Sequence, residues 1–205
     1  MDPNWLDWAK RLQAAAQTGL AFANNDYDRG RYKSVLAIAA AIVAAGTGGE
    51  PERLEGLLAA EQGYATPKVD VRAAVFREGR ILLVKERADG GWTLPGGWAD
   101  IGDSPSEAVE RETREESGFE VHAVKLAAVY DRNRHEHTPL LFHIWKLFFI
   151  CELRGGAPAP SIETEAVEFF GEDRLPPLSI GRVTARQIAH MFEHHRHPER
   201  PTTFD

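Results

Sequence analysis

The sequence predicts an α/β (α+β) fold in which helices cover a mixed β-sheet as a sandwich, preceded by a small all-α N-terminal domain. Over roughly the first sixty residues, apolar side chains recur at spacings of three and four, as on one face of a helix. From about residue 69 the pattern changes to alternation and short apolar runs, which are typical of strands. These runs lack a regular strand–helix alternation, which favours a mixed sheet. We place the two domains at residues 1–65 and 69–205.

The N-terminal domain is predicted to contain three helices. The first carries Trp5, Trp8 and Leu12 on one face. The second begins with Asp26 or Asp28 as its cap and ends near the sequence GTGG. The third begins at the proline of PERLEGLL and stops at the glycine of AEQG. Because three short helices bury little apolar surface alone, we expect this domain to contribute to a homodimer interface.

The larger domain begins with a predicted β-hairpin in VDVRAAVFREGRILLVKE, with REGR as its turn. A helix follows in DSPSEAVERETREESG, with Asp103 or Ser104 as cap, Pro105 in the first position and Gly118 as terminator. Strands are predicted at FEVHAVKLAAVYD, LLFHIWKLFFICEL and AVEFF, and a closing helix at about residues 181–194. The histidine-rich sequence HMFEHHRHPER is interpreted as a polar tail.

Composition restricts the class of protein. With 43% hydrophobic and 27% charged residues the chain is globular, and no apolar run approaches the roughly 20 residues of a membrane span. The first residues lack the basic and apolar segments of a secretory signal, and the lone Cys151 fits a reducing compartment, so we expect a cytoplasmic protein. A net charge of −7 makes nucleic acid an unlikely partner and suits a bound cation.

The predicted helix after residue 104 concentrates negative charge. At about 100° per residue, Glu112, Glu115 and Glu116 fall within an arc of about 100° and share one face. The arginines of this helix pair at spacing four with other glutamates, so an excess of negative charge remains. One interpretation is a solvated charged helix. The other is a site for a hard divalent cation, whose ligands are carboxylate and carbonyl oxygens.

The stretch from Gly96 to Phe119 resembles the signature box of the Nudix hydrolase family. That box runs glycine, five residues, glutamate, seven residues, then Arg-Glu-apolar-any-Glu-Glu-any-Gly-apolar. The matching residues are Gly97, Arg111, Glu112, Glu115, Glu116, Gly118 and Phe119. The chain departs from the box at Asp103, where the family has its first glutamate, and at Thr113, where it has an aliphatic residue. The first departure puts in doubt the bracing between loop and helix that is attributed to that glutamate.

The resemblance implies a Nudix-type α/β/α sandwich and a set of site residues. Glu112 and Glu116 would ligate Mg²⁺ or Mn²⁺ together with the carbonyl of Gly96. Glu115 would be a further ligand or the catalytic base, and Arg111 would orient the carboxylates. The bridging cations would neutralise a diphosphate and activate the attacking water.

Residues outside the box are further candidates. Family members often bring a glutamate from the region of SIETEAVEFF to the metals or the water, which makes Glu163 and Glu165 candidates; a plain polar loop is the alternative. In the sequence YDRNRHEH we predict substrate contacts, with Tyr130 stacking or hydrogen bonding and either Arg132 or Arg134 meeting phosphate. The histidine spacing there fits no common zinc pattern.

Selectivity for the group linked to the nucleoside diphosphate lies outside the box. Trp98 is either a core anchor or an aromatic surface for a base or a quaternary ammonium group. The chain as a whole resembles a Nudix subgroup with an N-terminal helical domain, whose members resemble CDP-choline pyrophosphatase or are named ADP-ribose pyrophosphatases. This resemblance implies cleavage of CDP-choline to CMP and phosphocholine, with ADP-ribose as the alternative substrate. From another class, the chain could be a non-catalytic nucleotide sensor, although a sensor does not need three ligand carboxylates.

Overall fold

The computed structural model describes residues 3–205, which divide into two compact units. One unit comprises the chain up to Pro67 together with Pro139–His143, and the other comprises Lys68–Thr138 and Ile144–Asp205. The helical unit therefore includes a short segment from the middle of the sequence. None of the helices in residues 3–205 is long and apolar enough to span a membrane.

The helical unit contains the three predicted helices, α1 (Asn4–Phe22), α2 (Asp26–Thr47) and α3 (Pro51–Ala59). Buried alanines and leucines of these helices form its core, and Leu141 from the mid-chain segment packs against them. The cap of α2 is Asn25, whose side-chain oxygen accepts a hydrogen bond from the N–H of Asp28. The predicted caps Asp26 and Asp28 are therefore wrong, because both aspartates already lie in the first turn of the helix.

The larger unit is built on a seven-stranded mixed sheet. Its strands are β1 (Lys68–Arg77), β2 (Arg80–Glu86), β3 (Trp92–Thr93), β4 (Phe119–Asp131), β5 (Ile144–Gly156), β6 (Thr164–Phe170) and β7 (Thr203–Phe204). Their order is β3-β2-β1-β5-β4-β7, and β6 lies off this path and pairs with β2. β1 runs parallel to β5, and β7 parallel to β4, while the other pairs are antiparallel.

Two helices, α4 (Pro105–Ser117) and α5 (Ala185–Arg196), pack with two separate apolar clusters of the sheet. Val71, Ala73 and Val75 alternate along β1 into the cluster that contains the apolar side of α4. The intervening Ala74 belongs to the other cluster, which contains the apolar side of α5. The sheet is thus covered by a helix on each face, which confirms the predicted sandwich. Cys151 is a buried member of the α4 cluster.

Two predictions for the end of the chain are wrong. α5 begins at Ala185 rather than near residue 181, because Thr184 and Gln187 form a reciprocal capping box there. The sequence HMFEHHRHPER is not a polar tail, since Met191, Phe192 and His194 are buried. The apolar face of α5 continues through this sequence, and the chain then returns to the sheet as β7.

Candidate active site

The site lies where β1 and β2 diverge. These two strands pair only at two positions next to their turn. Farther along, β1 binds the loop that precedes α4: the N–H of Ala73 donates to the carbonyl of Pro95 at 2.9 Å, and the N–H of Val71 donates to that of Gly97 at 2.8 Å. β2 instead pairs with β3 and β6. The loop from Pro95 to Gly97 is therefore held as a short extension of one half of the sheet.

Two adjacent glycines of this loop are required for different reasons. Gly96 has a φ of +136°, and a Cβ built on it would lie 2.0 Å from the carbonyl oxygen of Val71. A Cβ on Gly97 would instead lie 2.7 Å from Oε2 of Glu112. The first glycine permits close backbone packing against β1, and the second leaves room for a carboxylate of α4.

The ends of α4 are fixed by its local sequence. Ser104 and Glu107 form a capping box, and Pro105 occupies the first turn, where its missing N–H costs nothing. At the other end Gly118 adopts a left-handed conformation with a φ of +74° and donates its N–H to the carbonyl of Arg114. The rotation of the helix, and with it the direction of the carboxylate face, follows from these two anchors.

The structure accommodates both departures from the family box. Asp103 accepts a hydrogen bond from Nε of Arg111 at 2.9 Å, so a link between loop and helix exists despite the shorter side chain. Thr113 is fully buried, and its hydroxyl donates to the carbonyl of Val109 at 2.7 Å. With its hydroxyl satisfied within the helix, threonine fits the interior position in place of an aliphatic residue.

Glu116 is the most buried of the three clustered glutamates, with 6% of its surface exposed. Its Oε2 accepts a hydrogen bond from the N–H of Gly96 at 2.8 Å. Burial raises the pKa of this carboxyl to about 7, although the charge of Arg72 and the Gly96 hydrogen bond oppose the shift. The helix and the glycine loop therefore meet at a carboxylate whose charge is only partly compensated.

Arg111 contacts the other carboxylates of the site. Its guanidinium contacts Asp100 at 3.2 Å, Glu112 at 2.7 Å and Glu115 at 3.4 Å, in addition to Asp103. Burial raises the pKa of Glu112, and the Arg111 hydrogen bond opposes that shift. Glu115 is more exposed than Glu112. Arg111 thus contacts four carboxylates in this structure, and its role in orienting them stays a prediction.

The donor set suits a hard divalent cation. Glu112, Glu115 and Glu116 supply carboxylate oxygens and no soft ligand, which is the chemistry that Mg²⁺ and Mn²⁺ prefer. Within residues 3–205, no three acidic or histidine side chains are already arranged as a metal cluster. Glu112 and Glu115 are instead turned to Arg111. Binding a cation would require these carboxylates to exchange a guanidinium partner for the ion.

A fourth acidic residue, Glu86, was missed by sequence reasoning. It ends β2, is 4% exposed and accepts a contact from Nε of Arg182 at 3.0 Å. Burial raises its pKa, the charges of Arg182 and Arg72 oppose this, and the charge of Glu163 adds to it. Glu86 in turn raises the pKa of Glu116. The sequence shows a charged residue at the end of the apolar strand ILLVKE. Whether that side chain points to the site depends on how β1 and β2 separate, which the sequence does not show.

A buried charge cluster on β1 and β5 was also missed. Arg72 makes a two-pronged contact with Asp70, at 2.9 and 2.7 Å, and Lys146 binds the same carboxylate from the neighbouring strand. Burial disfavours the charge on Asp70, but the two cations outweigh it and hold its pKa at about 2. Burial lowers the pKa of Lys146 to about 8, against the attraction of Asp70. The signal was two charged residues alternating with valines in VDVR.

The structure separates the two glutamates of SIETEAVEFF. Glu165 forms an ion pair with Lys85 on β2 at 2.5 Å, and this hydrogen bond lowers its pKa. Glu163 is exposed and close enough to Glu86 for its charge to act there. Between them Thr164 is buried and donates its hydroxyl to the carbonyl of Glu116. Of the two candidates, Glu163 is the one whose charge raises the pKa of Glu86.

The predicted substrate-binding residues also differ in their surroundings. Trp98 is 47% exposed and lies opposite Asp70 in an antiparallel bridge, beside the glycine loop. Arg134 is exposed and lies 3.8 Å from Asp131. Both side chains are accessible, and Trp98 lies next to residues of the site.

Tyr130 and Arg132 do not have the exposure that the predicted substrate contacts require. Tyr130 belongs to the core next to α5, and its hydroxyl hydrogen bonds to Nδ1 of His190. Arg132 is 3% exposed and donates to the carbonyls of Thr138 and Gly181. The alternation of β4 directs Tyr130 inward, and the short 3₁₀ turn after it directs Arg132 against the loop before α5. We therefore leave both residues out of the proposed substrate site.

Comparisons with known proteins agree with this geometry. Residues 66–191 match the NUDIX domain, and residues 3–58 match a domain described as UDP-X-like, N-terminal oligomerisation domain. A Bacillus subtilis protein named putative ADP-ribose pyrophosphatase YjhB is 45% identical over 201 residues, which are 98% of this chain and 97% of that protein.

Two solved structures are also similar. An ADP-ribose pyrophosphatase from Streptococcus suis has 43% identity and a TM-score of 0.63, over 68% of this chain and all of that one. A UDP-X diphosphatase structure has 31% identity and a TM-score of 0.65, over 98% of each chain. The fold and the acidic helix thus define a hydrolase of the kind that generally uses a divalent metal. The chain belongs to the Nudix family and is a Nudix hydrolase with an N-terminal helical domain.

Proposed function

We propose that this chain hydrolyses the diphosphate linkage of nucleoside diphosphate derivatives in a reaction that depends on Mg²⁺ or Mn²⁺. The first candidate substrate is ADP-ribose, which would give AMP and ribose 5-phosphate. The observation that carries the proposal is the buried Glu116, which meets the glycine loop on the carboxylate face of α4. The proposed substrate class is supported by relatives named ADP-ribose pyrophosphatase, one of them similar over the full chain.

The charge of the site supports dependence on a metal. Glu86, Glu112, Glu115 and Glu116 would repel the negative charges of a diphosphate, and at a few ångströms this repulsion is substantial away from bulk water. A bound divalent cation supplies charge neutralisation at the phosphate oxygens and lowers the pKa of a water molecule. We propose Glu112, Glu116 and the carbonyl of Gly96 as its ligands, with Glu115 as a further ligand or as a base.

The chain offers two candidates for the group that takes the proton from the attacking water. Glu115 is exposed but contacts Arg111 at 3.4 Å, whereas Glu163 is exposed and its charge reaches Glu86. We propose Glu163 as the first candidate, because a base must be free to accept a proton while Glu115 is shared with the guanidinium. Replacing each by glutamine separates the two, and Glu168→Gln, an exposed position on β6, is the matched control.

A second candidate substrate is CDP-choline, giving CMP and phosphocholine. The observation that favours it is the half-exposed indole of Trp98 beside the glycine loop. An exposed indole binds a quaternary ammonium group through a cation–π contact. Trp98→Leu should then weaken turnover of CDP-choline more than that of ADP-ribose.

The deciding experiment is an assay with purified protein, Mg²⁺ or Mn²⁺, and a panel of ADP-ribose, CDP-choline, UDP-linked sugars and nucleoside triphosphates. Chromatography identifies the products, and labelled water shows which phosphorus is attacked. Formation of AMP and ribose 5-phosphate supports the first candidate, and CMP with phosphocholine supports the second. Binding of ADP-ribose without hydrolysis in the presence of metal would indicate the sensor instead.

We also propose that the protein is a homodimer formed through its helical unit. Its N-terminal region matches a domain described by its role in oligomerisation. The helical unit exposes several large apolar side chains, namely Trp8, Phe22, Tyr27, Ile38, Leu57 and Tyr64. Light scattering should show a dimer at micromolar concentration, and Tyr27→Glu or Ile38→Glu should shift it towards monomer. A wild-type monomer under these conditions would contradict the proposal.

A further inference from the structure

The buried cluster on β1 and β5 contains more positive charge than its carboxylate needs. Asp70 is bound by two cations, Arg72 and Lys146, and all three residues are at least 94% buried. One cation is enough to neutralise one carboxylate. A surplus buried charge is costly unless another partner offsets it, so the second cation should have a second task.

The contacts of the two cations show which of them has that task. Lys146 donates to Asp70. Arg72 donates to Asp70 through Nε and Nη2, and its Nη1 donates to the carbonyl of Leu94 at 3.1 Å. Its positive charge also lowers the pKa of Glu116 and of Glu86. Arg72 is therefore the cation that connects the cluster to the acidic site.

The contact with Leu94 holds the start of the glycine loop. Leu94 directly precedes the Pro95–Gly97 segment, whose carbonyls bind the N–H groups of Ala73 and Val71. These three contacts fix the loop to β1 on both sides of Gly96, and the N–H of Gly96 then points at Glu116. Arginine suits this position because its planar guanidinium bonds a carboxylate with two nitrogens and still has a third donor group.

We propose that Arg72 is a positioning residue for the hydrolase reaction: it holds the glycine loop in register so that the Gly96 N–H meets the Glu116 carboxylate. Arg72 does not touch substrate in this assignment. Lys146 neutralises Asp70 and has no part in placing the loop. The assignment rests on the proposed function for its kinetic consequences, but the position of the loop is measurable without any substrate.

The test compares Arg72→Met with Lys146→Met. Each variant leaves Asp70 with one cation, and only Arg72→Met loses the Leu94 contact. Hydrogen exchange is measured by mass spectrometry on a peptide spanning residues 92–99, and kcat and KM are measured on the substrate that the wild type turns over. In Arg72→Met we expect exchange of this peptide at least about tenfold faster, and kcat lower by about 30-fold or more with KM within about threefold, since a misplaced loop affects the reaction more than binding. In Lys146→Met the exchange rate of this peptide and kcat should each stay within about threefold of wild type.

Arg72→Lys is the second variant, and it keeps the charge but lacks the three-sided geometry. We expect it to fold even if Arg72→Met does not, to show fast exchange in the 92–99 peptide, and to recover kcat only in part. Equal exchange in the Arg72 and Lys146 variants would overturn the assignment, as would an Arg72→Lys protein with wild-type exchange and kcat. If the wild type hydrolyses no compound of the panel, the proposed function fails, while the exchange measurements still decide the role of Arg72.

Discussion

Replacing Gly97 with alanine tests the acidic site without changing any charged group. The new Cβ would lie 2.7 Å from Oε2 of Glu112 and 3.1 Å from its Cδ, so the carboxylate must move by about half an ångström or more to restore ordinary contact. The backbone of Gly97 is not in the left-handed region, so alanine fits its conformation. Because a displacement of about 1 Å at a reacting centre costs about 100-fold in rate, we expect kcat to fall by about 10- to 100-fold.

The neighbouring Gly96→Ala is the matched comparison, because its effect should fall on stability. Its Cβ would meet the carbonyl oxygen of Val71 at 2.0 Å, and a φ of +136° adds strain of about 1–3 kcal/mol. Relieving the overlap requires moving the loop from β1, which loses hydrogen bonds of about 1 kcal/mol each. The sum is about 3–5 kcal/mol, which corresponds to a decrease in Tm of about 6–20 °C for a chain of this size.

Circular dichroism melting and steady-state assays on the two variants decide between these effects. We expect Gly97→Ala to melt within about 3 °C of wild type while losing activity, and Gly96→Ala to lose much of its Tm. A Gly97→Ala protein with wild-type kcat would refute the placement of Glu112 in the reaction. Equal melting temperatures for wild type and Gly96→Ala would show that the loop does not pack on β1 as described.

Two further predictions concern titration. Glu116→Gln should lower turnover at least about 100-fold. Burial raises the pKa of Glu116 to about 7, above its unfolded value, so the folded wild-type protein loses stability as pH rises towards 7 and this carboxyl ionises. In EDTA at pH 8, a denaturant titration should therefore show the variant to be more stable than wild type by about 1–3 kcal/mol. A less stable variant would contradict the buried, poorly compensated carboxylate. Burial lowers the pKa of His194 to about 4, so the unfolded chain binds its proton first, and stability is lost as pH falls from 6.5 towards 4. His194→Leu should remove about 2 kcal/mol of the loss between pH 7 and pH 5, and a loss identical to that of wild type would exclude His194 as its source.

The acidic helix is the part of the site that the sequence predicted best. Its cap, proline and terminal glycine act within one helix, so their effect does not depend on the rest of the fold. The carboxylate face follows from helical periodicity alone. The choice between Asp103 and Ser104 as cap was decided by which side chain reaches the N–H of Glu107, and that is Ser104.

The remaining site residues depend on how strands pair, which local patterns do not specify. Glu86 and Arg72 come to Glu116 because β1 and β2 separate after two residue pairs, each taking a different partner. Nothing in the hairpin sequence shows that separation. Similarly, the motif YDRNR suggested an exposed binding loop, whereas Tyr130 continues the alternation of β4 into the core.

The predictions for the end of the chain were wrong for a related reason. A two-residue strand such as β7 has no period to detect, and it exists because β4 offers a free edge beside it. The histidines before it suggested a polar, exposed segment, but His194 is buried on α5. Neither of its ring nitrogens has a hydrogen-bond partner within residues 3–205. Burial of such a group is set by the packing of α5 on the sheet rather than by its own polarity.

The buried carboxylates of the acidic site destabilise the metal-free fold and favour the binding of a cation. Glu116 and Glu86 are almost completely buried, Glu86 raises the pKa of Glu116, and both carboxylates interact with the charge of Arg72. Neutral side chains of similar size would stabilise the metal-free fold, so stability alone gives no reason for carboxylates at these positions. Arg111 and Arg72 reduce the repulsion without removing it, since each also binds an aspartate. The uncompensated charge is what a divalent cation would relieve on binding, and the same repulsion that weakens the metal-free protein therefore contributes to the affinity of the site for the metal.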